Sequence, residues 1–240
     1  AQDAASETLT SALHLSLVIS GLLIVGFLAF GWPIALRVAA GDVALASLGH
    51  IYIAILIFGA PLTFIYAVNL DAVRAEGLLQ FMAIVTMASA VLNIFFDWLF
   101  VVQFGWGVAG SAYGTLLSQL LAALVIFGYR QRNPRTVALR LFRLNATPWR
   151  AMLALGAPSS LGYVGLSISM AVTLFGLQAW AADSFEATSG AYGIFTRLMT
   201  FTFLPLLGLS MAFQTIVGNN FGALERERVA SAVRIAVGAA

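Results

Sequence analysis

The sequence predicts an all-α fold: a polytopic transmembrane helix bundle with six full spans plus the start of a seventh. Three observations predict it. Hydrophobic residues make up 61% of the 240 and charged residues only 9%, with a mean hydropathy of +0.95, whereas a soluble domain carries about 25% charged residues. Apolar stretches of about 20 residues, long enough to cross a ~30 Å hydrocarbon core, alternate with short polar segments. All 12 basic residues are arginines, and nearly all lie between the apolar stretches. That distribution fits the positive-inside rule better than a nucleic-acid surface, despite a basic isoelectric point.

The elements follow in order. Residues 1–10 are polar and are expected to cap the first span, Leu13 to Ala35. His14 near its start reads as an interfacial histidine, and Trp32-Pro33 as an anchor and helix stop. Arg37, Gly41 and Asp42 form a short loop. The second span, Leu48 to Leu70, carries Pro61 as an expected kink. Asp71, Arg74 and Glu76 make a charged turn closed by Gly77. The third span runs from Gln80 to Phe104. Gly105 and Gly107 turn the chain into the fourth span, Val108 to Tyr129, whose Gly110 and Gly114 allow close helix approach. Residues 130–150 are the longest polar stretch, with six arginines, Pro134 and Pro148. Within it, Val137 to Leu144 alternates apolar and basic residues, as a short surface helix would. The fifth span is Met152 to Trp180 and the sixth Ser189 to Val217, with Arg197 and Pro205 inside it. Gly218 to Gly222 is expected to end the sixth, and a seventh apolar segment follows Glu225 to Arg228.

One residue in this series needs a chemical explanation. Asp97 is the carboxylate with apolar sequence on both sides for more than two helical turns. Placing it at that depth costs roughly 2.5–3.5 kcal/mol unless it is paired, hydrated or protonated. Asn93, four residues earlier, shares its helix face. Counting outward from Trp106, Asp97 lies nine residues back and Thr115 nine forward. In an antiparallel hairpin both then sit roughly 13 Å from the turn, close to mid-membrane. The same count sets Asn93 level with Gln119. A carboxylate, two carboxamides and a hydroxyl along one seam suit a proton or a small hard cation. Interhelical hydrogen-bond glue explains Asn93, Thr115 and Gln119 taken singly. It does not explain an ionisable group.

Segments on the side of residue 1 hold nine arginines; those on the other side hold Arg37 with Asp42, Asp183 and Glu186. The bias places residue 1 and the 130–150 linker in the cytoplasm. Ser11 to Leu15 is echoed by Ser231 to Ile235, as two similar lobes would produce. The expected division is 1–129 for part of an N-terminal lobe, 130–150 for a cytoplasmic basic linker and 151–240 for part of a C-terminal lobe. The chain opens Ala1-Gln2-Asp3, without Met or a basic leader, and reads as the interior of a longer protein. It has no cysteine, so disulfide and thiol chemistry are absent.

Several segments together resemble the multidrug and toxic compound extrusion (MATE) transporters. They are Val73-Arg74-Ala75-Glu76-Gly77, Leu92-Asn93-Ile94 through Asp97, Gly107-Val108-Ala109-Gly110-Ser111-Ala112, and Thr115 through Gln119. The second half adds Gly156-Ala157-Pro158, Ala191-Tyr192-Gly193-Ile194, and Gln214 through Gly222-Ala223. The resemblance implies a two-lobed, inverted-V exporter of organic compounds driven by H+ or Na+. The chain would supply its helices three to eight and the start of nine. The resemblance also implies a cation site at Asn93, Asp97 and Thr115. Another branch of the family places an acid on the helix after the linker; here Leu161 to Ser169 has none, which favours the first lobe. Gln119, Arg197 and Gln214 are candidate cavity-lining residues.

The implied partners are small organic substrates and membrane lipid, with no nucleic acid. No cofactor is expected beyond H+ or Na+ as coupling ion, and the location is the cell's inner (plasma) membrane. A flippase for lipid-linked oligosaccharides, from the same wider superfamily, is the alternative. Such proteins carry several basic residues inside the bundle, and here only Arg197 lies within a span. An intramembrane enzyme is disfavoured: there is no His-Glu-x-x-His or Gly-x-Ser-x-Gly, and His14 and His50 lie near span ends.

Overall fold

A computed structural model describes residues 2–133, 136–137, 146–181 and 184–239. The described residues are helical apart from turns. The helices are α1 (Gln2–Val38), α2 (Val43–Phe58), α3 (Ala60–Ala75), α4 (Leu79–Asp97), α5 (Gly107–Arg132), α6 (Trp149–Trp180), α7 (Phe185–Gly222) and α8 (Arg226–Ala239). Between α4 and α5, Trp98–Gln103 is a π-helical continuation of α4. Among the described residues, five helical spans are long and apolar enough to cross a membrane, or six if the bent pair α2–α3 crosses as one span. The chain divides into two compact units, Ala1–Ile168 and Ser169–Ala240.

Four boundaries differ from the sequence reading. Trp32-Pro33 does not stop the first span: Pro33 lies inside α1, which continues to Val38. Residues 2–10 do not cap the first span but belong to it. Ser6, Leu9 and Thr10 are buried, and Thr8 donates its hydroxyl to the Ala4 carbonyl at 2.9 Å, so these polar side chains are compatible with helix. The bend expected at Pro61 falls at Gly59, with Pro61 in the first turn of α3, and the two helices meet at 53°. Proline is tolerated in a first turn, where its missing N–H costs no helical bond. Gly59 also lies directly against Leu116 of α5, whose side chain a Cβ there would push aside. At the far end, 218–222 form the last turn of α7 rather than its stop. Asn220 there donates to the Ile216 carbonyl at 2.7 Å, so its amide supports the helix it was expected to end.

The loops behave as their composition requires. Asp42 caps α2, accepting from the amides of Ala44 and Leu45 at 2.8 and 3.1 Å, which satisfies two otherwise orphaned donors. Gly105 and Gly107 adopt φ of +67° and +57°, the left-handed region that costs an L-residue roughly 1–2 kcal/mol. Gly107→Ala should therefore lower stability by about 1 kcal/mol, read as a drop in thermal unfolding midpoint in detergent. An unchanged midpoint would show that the turn relaxes.

Packing in Ala1–Ile168 follows membrane rules. Large apolar side chains such as Leu22, Ile84, Met87, Ile94 and Val102 face outward, where lipid would meet them. Small and hydroxyl residues face inward. The buried stripe of α5 recurs every fourth residue: Gly110, Gly114, Ser118, Ala122, Ile126, Arg130. Residues at that spacing form one ridge of a helix. Side chains grow along it, so α5 approaches α4 closely at the Gly110 end and meets an apolar cluster further on. That cluster is Val73, Val85, Ala122 and Ile126, with Tyr66, Leu70 and Phe81 packed against it. In the other unit, α7 and α8 pack around a cavity of about 350 Å3 lined by Phe213, Ile216 and Ile235.

The expected surface helix at Val137 to Leu144, with Arg140 and Arg143, lies outside the described residues apart from Val137. Arg135 and Asp183 do so as well.

Candidate functional site

Asp97 is the last residue of α4 before the π-helical segment. Single π-helical turns within α-helices recur at functional sites. Across from it, Gly114 of α5 leaves room for the carboxylate: a Cβ on Gly114 would stand 2.6 Å from Oδ1 and 3.3 Å from the Asp97 amide nitrogen. Oδ1 is buried and has no hydrogen-bond partner among the described residues. The second oxygen, Oδ2, lies 3.4 Å from the Ser111 hydroxyl, which donates to it. One turn deeper, the Asn93 carboxamide donates to the Thr115 hydroxyl at 3.3 Å. That hydroxyl donates in turn to the Ser111 carbonyl at 3.1 Å.

The expected seam therefore forms, with its register moved by about one turn. Asp97 faces Ser111 and Gly114 instead of Thr115, and Asn93 faces Thr115 instead of Gln119. Two features shift it. The turn centres on Gly105, between Gln103 and Gly107, rather than on Trp106. The π-helical segment also packs more residues into each turn, which brings Asp97 closer to the loop than a uniform α-helix would. Gln119 bonds elsewhere: its side-chain oxygen accepts from Thr63 of α3 at 2.8 Å. The polar seam thus extends across α3, α4 and α5.

Arg197 and Gln214 lie on α7 in the unit Ser169–Ala240, and both are exposed. Gln214 donates to the Ser210 hydroxyl at 3.5 Å, a contact within its own helix.

Two features escaped the sequence reading. Ser111 stands four residues before Thr115 on the same helix face, a spacing that was available to find it. The second is an ion pair. Arg130 donates to both carboxylate oxygens of Glu76, at 2.7 and 3.2 Å, with the two side chains only 3% and 9% exposed. The pair also holds Val137, whose amide donates to Glu76 at 3.0 Å and whose carbonyl accepts from Arg130 at 3.2 Å.

The Asp97 cluster carries one formal negative charge among neutral oxygens and amides. As this chain supplies it, that donor set of hard oxygens suits a proton or a small hard cation.

The comparisons with known proteins agree with one another. The MatE family model matches residues 2–99 and 186–240. The multidrug export protein MepA of Staphylococcus aureus (strain bovine RF122 / ET3-1) is 28% identical over 172 residues, which is 71% of this chain and 37% of that protein. MepA of Staphylococcus saprophyticus is 26% identical over 188 residues, 78% of this chain and 41% of that protein. Among solved structures, an outward-facing multidrug resistance MATE family transporter of the MOP superfamily aligns with a TM-score of 0.82 and 24% identity, covering 100% of this chain and 53% of its own. MATE in the bent conformation gives 0.77 at 25% identity, covering 100% and 52%. The chain thus spans about half the length of the solved structures and less of the curated relatives.

Proposed function

Because this chain belongs to the MatE family, we propose that it works in a secondary antiporter that exports organic, often cationic or amphipathic, compounds, with inward-moving H+ or Na+ taken up at Asp97. The observation that carries the reading is the buried, unpartnered Oδ1 of Asp97. A charged carboxylate oxygen in an apolar seam lacks compensation until a proton or cation supplies it. Neutralised, the carboxylate is compatible with close packing of α4 on α5. Charged, it favours an arrangement that admits water or an ion. The ion would thereby bias two packings of the same helices, which is what coupling requires.

The test uses a fluorescent organic cation, ethidium, loaded into cells that express the transporter carrying this chain. Efflux should continue when ATP is depleted while the H+ and Na+ gradients are held. It should stop when both gradients are collapsed. Efflux that survives collapse of both gradients would overturn the antiport reading.

Orientation follows the arginines. The chain contains no cysteine, so single cysteines can be placed freely. A cysteine at Arg132 should react with an impermeant maleimide only after the cells are opened, and one at Glu186 should react in intact cells. The reverse pattern would invert the proposed topology.

A further inference from the structure

We propose that Ser111 is a ligand of the coupling ion and decides whether Asp97 can hold Na+ as well as a proton. The proposal rests on the antiport reading above and adds to it a residue and an ion class. Three observations carry it. The Ser111 hydroxyl and Asp97 Oδ2 are 3.4 Å apart. A hydroxyl bonded to a carboxylate normally sits ~2.5–2.7 Å away, so this contact is too long to be a strong bond of its own. It matches another geometry. Two oxygens at right angles around a hard cation, each ~2.4 Å from it, stand ~3.4 Å apart. The two atoms are spaced as neighbouring ligands of one ion.

The second observation is that the Thr115 hydroxyl is engaged on both sides. It donates to the Ser111 carbonyl and accepts from Asn93. The Ser111 hydroxyl has the weaker engagement and lies one turn nearer Asp97. It can give up its long bond and turn a lone pair toward a cation at little cost. The third is Gly114. Because Gly114 has no side chain, Oδ1 packs directly against α5 there, buried and with no hydrogen-bond partner among the described residues.

A proton and a sodium ion ask different things of these groups. A proton binds Asp97 itself, and one acceptor nearby satisfies the resulting O–H. Na+ needs several oxygens at once. Loss of the Ser111 hydroxyl should therefore weaken Na+ binding and leave protonation of Asp97 possible.

The experiment measures the thermal unfolding midpoint of the purified protein in detergent as NaCl replaces choline chloride at constant ionic strength. The wild-type midpoint should rise with Na+ and saturate. Ser111→Ala should need at least tenfold more Na+ for the same rise. Ser111→Thr, which keeps the hydroxyl, should stay within about threefold of wild type. Asp97→Asn should show no Na+ response. Ser111→Ala with wild-type Na+ dependence overturns the ligand assignment, and a missing Asp97→Asn response then leaves the antiport reading intact. A wild-type protein indifferent to Na+ overturns the inference too; efflux that still depends on Asp97 and a proton gradient would keep the antiport reading. If Asp97→Asn matches wild type in both Na+ response and efflux, both readings fall.

Discussion

Asp97→Asn is expected to abolish gradient-driven ethidium efflux while leaving expression, membrane insertion and helix content close to wild type. The substitution keeps size and hydrogen-bonding capacity. It removes the one property that interhelical glue would not need, the ability to exchange a proton or ion. An amide oxygen can still accept from Ser111, which lies 3.4 Å from Oδ2. The amide group can also occupy the space left by Gly114. Folding energetics should therefore change little. A buried carboxylate oxygen without a partner is replaced by a neutral group, a change that tends to stabilise a membrane interior. The expected pattern is a protein at least as stable as wild type that does not pump. Asn93→Ala and Thr115→Val should fall between the two. Each removes a neutral group one turn from the carboxylate and breaks the single contact between them at 3.3 Å. If Asp97→Asn pumps at the wild-type rate with the same ion dependence, Asp97 serves packing alone and the coupling site lies elsewhere.

Spans were legible because lipid imposes a simple rule. A helix crossing hydrocarbon must be apolar for about 20 residues, and every such stretch in the sequence became a helix. Asp97 was legible by the same rule, since a charge where none is tolerated stands out against it. Register was not legible. The hairpin count assumed a uniform rise per residue, and the π-helical segment Trp98–Gln103 breaks that assumption. Nothing in Trp-Leu-Phe-Val-Val-Gln announces five-residue hydrogen bonding, although this segment packs against Gly110 of α5. The break at Gly59 was half legible. Pro61 marked the neighbourhood, but the break at Gly59 packs against Leu116 of a helix 57 positions later. Ser111 shares a helix face with Thr115 four residues on, but that spacing alone does not say which carboxylate it faces. Long-range partners are invisible for the same reason. Glu76 and Arg130 each looked like a charge in a loop.

Breaking the Glu76–Arg130 pair should be the most destabilising single change in the unit Ala1–Ile168. The guanidinium is fork-bonded to the carboxylate at 2.7 and 3.2 Å, and the pair is almost fully buried. Removing one partner of such a pair leaves an uncompensated charge and typically costs about 3–5 kcal/mol. Arg130 would be left worse off than most, because its Nε is already buried with no partner among the described residues. Glu76→Gln should therefore cost about 3 kcal/mol, with a larger loss for Glu76→Ala, which also opens a gap beside Val137. The double variant Glu76→Gln/Arg130→Met should recover much of the loss, since replacing both charges together is often near neutral. The more exposed pair Arg74–Asp71, at 2.9 Å with side chains 22% and 65% exposed, is the internal control. Arg74→Ala should change stability by less than about 1 kcal/mol. Unfolding curves in detergent with added denaturant measure all four, and Arg130→Met alone completes the cycle. The coupling between positions 76 and 130 is the decisive quantity. If the double variant loses the sum of the two single losses, the charges do not depend on each other. The contact would then be incidental to holding the α3–α4 turn, the end of α5 and Val137 together.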